Sequence, residues 1–291
     1  MPSLKDVKVK ISAVKKTKQI TKAMNMVASA KLRKAQERIV RFRPYAQKFY
    51  EMLGELASGV DPSSHPLLSV REEVKTIGIM LVTSDRGLAG SFNVNLINTA
   101  KRIAATKIAE GKAVKFYCVG KKGRDAIRKM DFEIVRAYHD KMSAAFDFTL
   151  ANELGKEIIG AYIAGALDEV ILVYGELESL ARQTPKALTV LPIKPEEGKA
   201  SSGPRSEYIY EPSVVDLLAE LLPRFVNVQV YRGLLDTSAS EHAARMAAMD
   251  NATRACDDMV GALTLAYNKA RQATITKELM DIVGGAEALK G

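Results

Sequence analysis

A spacing of three and four residues between apolar side chains runs through the first 56 residues of the chain. From Leu4 onward, sixteen successive positions follow this spacing, and thirteen of them are apolar. The sixteen are Leu4, Val7, Ile11, Val14, Lys18, Thr21, Asn25, Ala28, Leu32, Ala35, Ile39, Phe42, Ala46, Phe49, Leu53 and Leu56. The pattern predicts one long helix with a coiled-coil seam. Pro44 lies inside this helix and is expected to kink it or to be absorbed locally.

The three polar positions in this seam, Lys18, Thr21 and Asn25, are consecutive. In the same stretch the apolar side chains move to Ile20, Met24 and Val27. We therefore expect the buried face of the helix to rotate here, or its partner to change.

The C-terminal part of the chain repeats the pattern with smaller side chains. Its seam follows unbroken steps of three and four through Met249, Ala252, Cys256, Met259, Leu263, Ala266, Ala270 and Ala273. Alanines at a seam let two helix axes approach closely, so Ala266→Glu is expected to disrupt the pair. The predicted helix runs from about residue 237 to 283 and stops at Gly284 and Gly285. The two seams fit an intramolecular antiparallel coiled coil or a homodimer, and a compact middle with neighbouring termini favours the first.

The middle of the chain alternates between short apolar runs and helical patterns. Strands are predicted at 76–83, 113–119, 132–138, 169–175 and 187–193, and helices near 93–110, 121–130 and 146–166. Such alternation indicates an α/β fold, a Rossmann-like domain with a mostly parallel sheet covered on both faces. The predicted organisation is an N-terminal coiled-coil helix (1–57), a linker (58–73), the α/β domain (74–195), a loop (196–212) and a C-terminal coiled-coil helix (213–291). A short edge strand at Tyr208–Tyr210 is a further possibility.

Charge is concentrated in the N-terminal helix. Residues 1–50 contain fourteen basic and two acidic residues, whereas the other 241 residues contain 29 basic and 32 acidic ones. A basic helix of this kind fits phosphate backbones, an anionic membrane surface or acidic protein loops. The chain has no run of about 18 apolar residues that predicts a membrane span. Its N-terminus has no apolar signal core, and Cys118 and Cys256 lie far apart, as in a cytoplasmic protein.

No set of residues predicts catalysis. The turn Ser84–Asn93 follows the first strand, where Rossmann-like folds bind ligands, but its glycines have the spacing GxxG. Gly120–Arg124 follows the second strand and could hold an anion, although a solvated basic turn is the simpler interpretation. The histidines His65, His139 and His242 have no metal-binding partner at ligand spacing. We therefore expect no catalytic residues, no cofactor and no metal.

Two terminal segments and one turn carry a family resemblance. The run Ile20–Leu32 (ITKAMNMVASAKL), the run Glu241–Thr253 (EHAARMAAMDNAT) and the run Leu263–Leu279 (LTLAYNKARQATITKEL) resemble the signatures of the γ subunit of F-type ATP synthase. The turn Ser84–Gly90 (SDRGLAG) is similar to the family's turn motif, with Ala89 where the family often has cysteine. The matches span the chain in the family's order.

The resemblance implies a function and a set of partners. In this family the terminal helices form an antiparallel coiled coil inside a hexamer of three α and three β subunits, and the α/β domain lies near ε and the c ring. The rotor couples proton flow to ATP synthesis at the β subunits, so this chain would be a non-catalytic subunit at the cytoplasmic face of the bacterial inner membrane. It would have no nucleic-acid partner and no membrane span. The implied contact and torque residues are Lys22, Met24, Asn25, Arg86, Gly87, Gly90, Arg271, Gln272, Thr276 and Glu278.

Two other hypotheses stay open from the residues alone. The first is a nucleic-acid-binding coiled-coil protein that uses the basic N-terminal helix, for which affinity should fall steeply with salt. The second is a nucleotide-binding Rossmann enzyme.

Overall fold

The computed structural model describes residues 3–57, 65–142, 146–194 and 214–288. In chain order its helices and strands are α1 (Leu4–Ala57), β1 (Thr76–Val82), α2 (Phe92–Ala109), β2 (Ala113–Val119), α3 (Lys121–Arg128), β3 (Ile134–Tyr138), α4 (Phe148–Ile163), β4 (Glu169–Leu177), β5 (Gln183–Leu191) and α5 (Val214–Ala288). The five predicted strands and three central helices are all present, with ends shifted by a few residues. The possible edge strand at 208–210 lies outside the described residues.

The five strands form one sheet in the order β3-β2-β1-β4-β5. Strands β3, β2, β1 and β4 are mutually parallel, and β5 pairs antiparallel with β4. This is the mostly parallel α/β sheet that the sequence predicts. The interior strands β1 and β4 are buried along nearly their whole length, because helices cover both faces of the sheet.

Each face of the sheet has its own hydrophobic cluster. One cluster joins the sheet to α2 and α3 through side chains such as Leu96 and Ile127. The other joins it to α4, the end of α1 and the first part of α5, through side chains such as Ile158, Leu53 and Val230. The C-terminal ends of the parallel strands therefore lie between two helical layers.

The chain forms two compact units. One consists of Met1–Ala28 and Met246–Gly291, and the other of Ser29–Arg245. We call the first the coil unit and the second the sheet unit. The five-part division of the chain drawn from the sequence stays a prediction.

The seam predicted for α1 is the face that the structure buries. All sixteen seam positions from Leu4 to Leu56 are buried or half-buried. Of the two expected alternatives, rotation of this face is wrong, because Ile20 and Val27 are 60% and 57% exposed, although Met24 is half-buried.

The polar side chains of the α1 seam are instead paired with α5 inside the coil unit. Lys18 forms an ion pair with Asp257. The hydroxyls of Thr21 and Thr253 lie 2.8 Å apart, and the Nδ2 atom of Asn25 donates to the Met246 carbonyl over 2.8 Å. We call these three contacts the polar layer. Their order along the two helices shows that α1 and α5 run antiparallel within one chain.

The seam predicted for α5 is wrong at three of its eight positions. Met259 is 52% exposed, and Ala266 and Ala273 are exposed as well. The buried or half-buried positions include Met249, Ala252, Thr253, Cys256, Val260, Leu263, Tyr267 and Ala270. Three-and-four steps from the polar layer place these residues level with the α1 seam, down to Leu4 opposite Ala270. The interface is thus less alanine-rich than predicted, and Ala266→Glu loses its expected effect.

The α5 helix is also longer than predicted. It begins at Val214 and contains Pro223, and it continues through Gly284 and Gly285 to Ala288. Burial explains the early start, since Leu222, Val226 and Val230 are fully buried in the sheet unit. This packing outweighs the low helix propensity of a proline and several valines.

Candidate functional site

The ligand edge of the sheet is closed by the chain's own polar groups. The Oδ1 atom of Asp85 accepts hydrogen bonds from the backbone N–H of Lys121 at 3.0 Å and of Asp140 at 3.1 Å. The next two amides at the start of α3 donate to the Ser84 carbonyl, at 3.1 Å, and to the Thr83 hydroxyl, at 2.8 Å. A helix N-terminus binds an anion through free N–H groups. These amides are occupied, so the arrangement argues against a phosphate at this edge.

The turn at 84–90 is held in one conformation. The Ser84 hydroxyl donates to the Arg86 carbonyl over 2.6 Å, and the Asn93 side chain contacts the Ser84 backbone N–H and hydroxyl. Leu88 and Gly90 have positive φ angles of 63° and 56°. The predicted contact residues Arg86 and Gly90 are exposed, and Gly87 is half-buried beneath Lys122. The turn therefore presents its outer residues on a fixed backbone.

An ion pair between Glu241 and Arg245 on α5 contacts the backbone of this turn. The Nη2 atom of Arg245 lies 2.6 Å from the Oε1 atom of Glu241, and their side chains are only 12% and 6% exposed. Arg245 also donates to the Gly87 carbonyl at 3.1 Å. Both residues lie in the signature run Glu241–Thr253, and the sequence did not indicate this role for them. Their i, i+4 spacing was the available signal.

Burial controls the ionisation of two side chains in the sheet unit, His242 beside this ion pair and Cys118 on β2. Burial, together with repulsion from Arg245 and Lys31, lowers the pKa of His242 to about 4. The imidazole is thus neutral at physiological pH, and its Nδ1 atom lies 3.5 Å from Arg245. Burial also raises the pKa of the Cys118 thiol to about 12, so this cysteine is a packing residue rather than a nucleophile.

Predicted contact residues on α1 divide between exposed and internal positions. Lys22 is exposed and Met24 is half-buried. Asn25 is also half-buried, and its amide belongs to the polar layer. In the coil unit, Lys22 is the most accessible of the three to a partner protein.

The predicted contact residues on α5 lie in its C-terminal part, beyond the stretch of α5 that pairs with α1 among the described residues. Arg271, Gln272, Thr276 and Glu278 are all exposed. The segment from Arg271 onward extends past the level of Leu4, where α1 begins. Its apolar side chains are exposed too, with values of 48% for Ile275, 57% for Leu279 and 68% for Ile282. We call residues 271–286 the exposed tail.

The structure does not bring the predicted contact residues into one site. Within the coil unit, Asn25 lies at the level of Met246, and Arg271 lies 25 residues further along α5. At about 1.5 Å per residue, this separates the two groups by roughly 38 Å. Arg86, Gly87 and Gly90 belong to the sheet unit. Within the coil unit the predicted contact residues are therefore spread along the helices and form no single cluster.

A half-buried carboxylate in the sheet unit, Asp236, has charged neighbours on α1, β4 and α5. Asp236 is 3.8 Å from Arg232, which also lies 3.9 Å from Glu176. Burial raises the pKa of Asp236 to about 6, Arg232 and Arg43 lower it, and Glu176 raises it. At neutral pH the fold therefore holds a carboxylate that it would stabilise better in the protonated form.

This carboxylate gives a pH-dependent stability that is opposite to that of a typical surface carboxylate. In the unfolded chain Asp236 titrates near 3.8 and in the fold near 6, so stability is lost as pH rises between these values. We expect Asp236→Asn to raise the free energy of unfolding by about 2 kcal/mol at pH 7.5 and by almost nothing at pH 4. Urea unfolding at both pH values measures this. Asp250→Asn, in an exposed i, i+4 pair with Arg254, is the control. Equal effects of Asp236→Asn at both pH values would contradict the assignment.

The described ranges contain no candidate for a metal site or a membrane-spanning helix. No group of three or more His, Cys, Asp or Glu side chains there is placed to hold a metal ion. None of the helices in these ranges combines the length and apolar character that a membrane crossing needs.

These features define a class of protein that combines an α/β domain with an antiparallel two-helix coil. A family model described as ATP synthase matches residues 3–289. The chain is 72% identical to the ATP synthase gamma chain of Nitratidesulfovibrio vulgaris strain Hildenborough and 69% identical to that of Maridesulfovibrio salexigens, each over all of both chains. The chain therefore belongs to the gamma-chain family of ATP synthase, the rotor subunits of the central stalk.

Solved structures agree with this assignment. A chain of the central stalk and c ring of Tetrahymena thermophila mitochondrial ATP synthase is 25% identical, with a TM-score of 0.60, and the match covers 80% of this chain and 99% of that one. A chain of the Euglena gracilis mitochondrial ATP synthase shows the same fold, with a TM-score of 0.72 at 22% identity over 98% and 94% of the two chains. The comparisons give no support to a nucleic-acid-binding function.

Proposed function

We propose that this chain is the rotor that couples proton flow through a c ring to ATP synthesis, turning inside a hexamer of α and β subunits. The observation that carries the proposal is the antiparallel pair of α1 and α5, fixed by the polar layer and continued by the exposed tail. Rotation requires two helices that hold their register under load. It also requires an outer surface that is free for a surrounding protein.

The apolar side chains of the exposed tail indicate that an apolar surface of a partner protein covers this end of the rotor. Ile275, Leu279 and Ile282 follow steps of four and three along one helix face, and roughly half or more of each side chain is exposed. A stripe of this size is costly in water and is typical of a protein interface. We propose that the surrounding hexamer covers it, and that Arg271, Gln272, Thr276 and Glu278 make polar contacts beside it.

The surface of α1 supports an acidic partner. Lys5, Lys8, Lys15, Lys16 and Lys22 are all exposed. Cations gathered on one helix repel one another unless a partner neutralises them. We propose that acidic segments of β contact this face near Lys22 and Met24, while Asn25 maintains the coil beneath. The turn residues Arg86, Gly87 and Gly90 are proposed as a further contact of the sheet unit.

We also propose that the chain has no catalytic site and no cofactor of its own. Occupation of the α3 amides by Asp85, Ser84 and Thr83 supports this for the sheet edge. The ATPase activity then belongs to the complex, with ε and the c ring as additional partners. The proposed location is the cytoplasmic face of the bacterial inner membrane, through the complex and without a membrane span of its own.

Co-purification tests the function directly. A tagged chain expressed with α, β and ε is expected to purify as an assembly containing three α and three β subunits for each copy. Binding of duplex DNA by the isolated chain, measured across salt concentrations, is the comparison. Recovery of the chain without α and β, together with salt-sensitive binding of DNA, would favour the nucleic-acid hypothesis instead.

A further inference from the structure

The backbone of the turn at 84–90 is bound by one guanidinium group. Arg245 donates through Nη2 to the Gly87 carbonyl at 3.1 Å and to the Arg86 carbonyl at 3.4 Å. Its Nε atom lies 3.4 Å from the same Gly87 carbonyl. The side chain of Arg86 is therefore exposed on the outer side of the turn, while the carbonyls of Arg86 and Gly87 accept hydrogen bonds from Arg245 on the inner side.

Glu241 fixes the position of this guanidinium. The carboxylate is one turn earlier on α5, lies 2.6 Å from Arg245 and is almost fully buried. Burial raises the pKa of Glu241, whereas Arg245 lowers it by attraction and hydrogen bonding. A buried carboxylate requires a partner of opposite charge, so the two side chains hold each other in place.

Stabilisation of the buried Glu241 carboxylate does not explain why Arg245 also donates to the two carbonyls of the turn. Glu241 would be neutralised by any cation at position 245, including the single ammonium group of lysine. Only the planar fork of arginine presents further N–H groups to two carbonyls while it pairs with the carboxylate. The carbonyls belong to a turn in which Leu88 already has a positive φ angle, and this strained backbone requires support.

We propose that Arg245, oriented by Glu241, is the positioning residue of the 84–90 turn and holds Arg86 and Leu88 in the geometry in which the turn meets its partner. The positioning itself is a property of the isolated chain. Its consequence for a partner rests on the proposed function.

Hydrogen exchange of the full chain tests the positioning. Arg245→Lys keeps the ion pair with Glu241 but loses the fork, and Arg245→Gln loses both. We expect peptides covering residues 84–92 to exchange about tenfold faster in each variant, with β1 and β4 unchanged. Arg254→Gln is the matched control, because Arg254 forms an i, i+4 ion pair with Asp250 on the same helix but in an exposed setting. Trypsin cleavage after Arg86 is a second measure and is expected to accelerate in the Arg245 variants only.

The outcomes separate this inference from the proposed function. Unchanged exchange at 84–92 in Arg245→Lys would overturn the positioning role, whether or not the variant assembles. An equal rise across the turn, β1 and β4 would also overturn it, because Arg245 would then contribute only general stability. Failure of the wild-type chain and of Arg254→Gln to co-purify with α and β would instead count against the proposed function. The expected result is faster exchange at the turn with weaker assembly in the two Arg245 variants alone.

Discussion

Replacing Gly120 with alanine is expected to destabilise the sheet unit strongly. Gly120 has a φ angle of 96°, and a Cβ atom there would lie 2.1 Å from the Thr83 carbonyl oxygen. Thr83 directly follows β1 and is fully buried, so its carbonyl oxygen cannot move away from the added methyl group. We expect a loss of about 3–4 kcal/mol from strain and overlap together.

Gly111→Ala separates the two causes of this loss. Gly111 has a similar φ angle of 79°, but a Cβ atom would meet nothing within 4 Å. This variant is expected to lose only about 1 kcal/mol, the cost of a left-handed backbone. Urea unfolding of both variants, followed by circular dichroism, gives the comparison. Equal losses would show that the close approach of β1 and the start of α3 is not required.

The second large effect is expected in the coil unit, where two neighbouring residues on α5 have opposite environments. Tyr267 is half-buried at the level of Val7, which is 6% exposed, whereas Ala266 is exposed. Tyr267→Glu removes apolar contact and places a charge at the interface, so we expect a loss of about 2 kcal/mol. Ala266→Glu should change stability by less than about 0.5 kcal/mol.

The same pair of variants shows which of two faces of α5 packs against α1. Thermal unfolding reports the stability, and hydrogen exchange across residues 4–14 and 260–270 locates the change. If Ala266→Glu proves to be the more damaging variant, the alanine-rich seam predicted from the sequence is correct and the buried face described above is wrong.

The contrast between α1 and α5 shows what the sequence could determine. Along α1 the large side chains Leu32, Phe49 and Leu53 form one apolar stripe, so the buried face followed directly from the spacing. Along α5 the abundant alanines are compatible with more than one stripe. The partner helix made the choice, through Thr21 with Thr253 and Lys18 with Asp257, and such pairings are not readable from one segment.

The candidate site was predictable only in part for a similar reason. The turn at 84–90 was identifiable from its glycines and its position after β1. Its closure by Asp85 depends on α3 and on Asp140, and its support depends on Arg245, which lies 158 residues away from Gly87. Contacts of this range arise from the topology of the sheet. The contact roles of Lys22 and of the tail residues come from family resemblance and stay predictions.

The polar layer has a mechanical consequence for a rod that transmits torque. A purely apolar seam permits one helix to slide along the other, since a shift by seven residues again places apolar side chains opposite apolar side chains. Here such a slip would move Lys18 from the level of Cys256 to that of Leu263 or Met249, and Asn25 would lose the Met246 carbonyl. The polar layer thus opposes sliding of α1 along α5. It costs the coil some apolar contact and fixes the length of the rod under load.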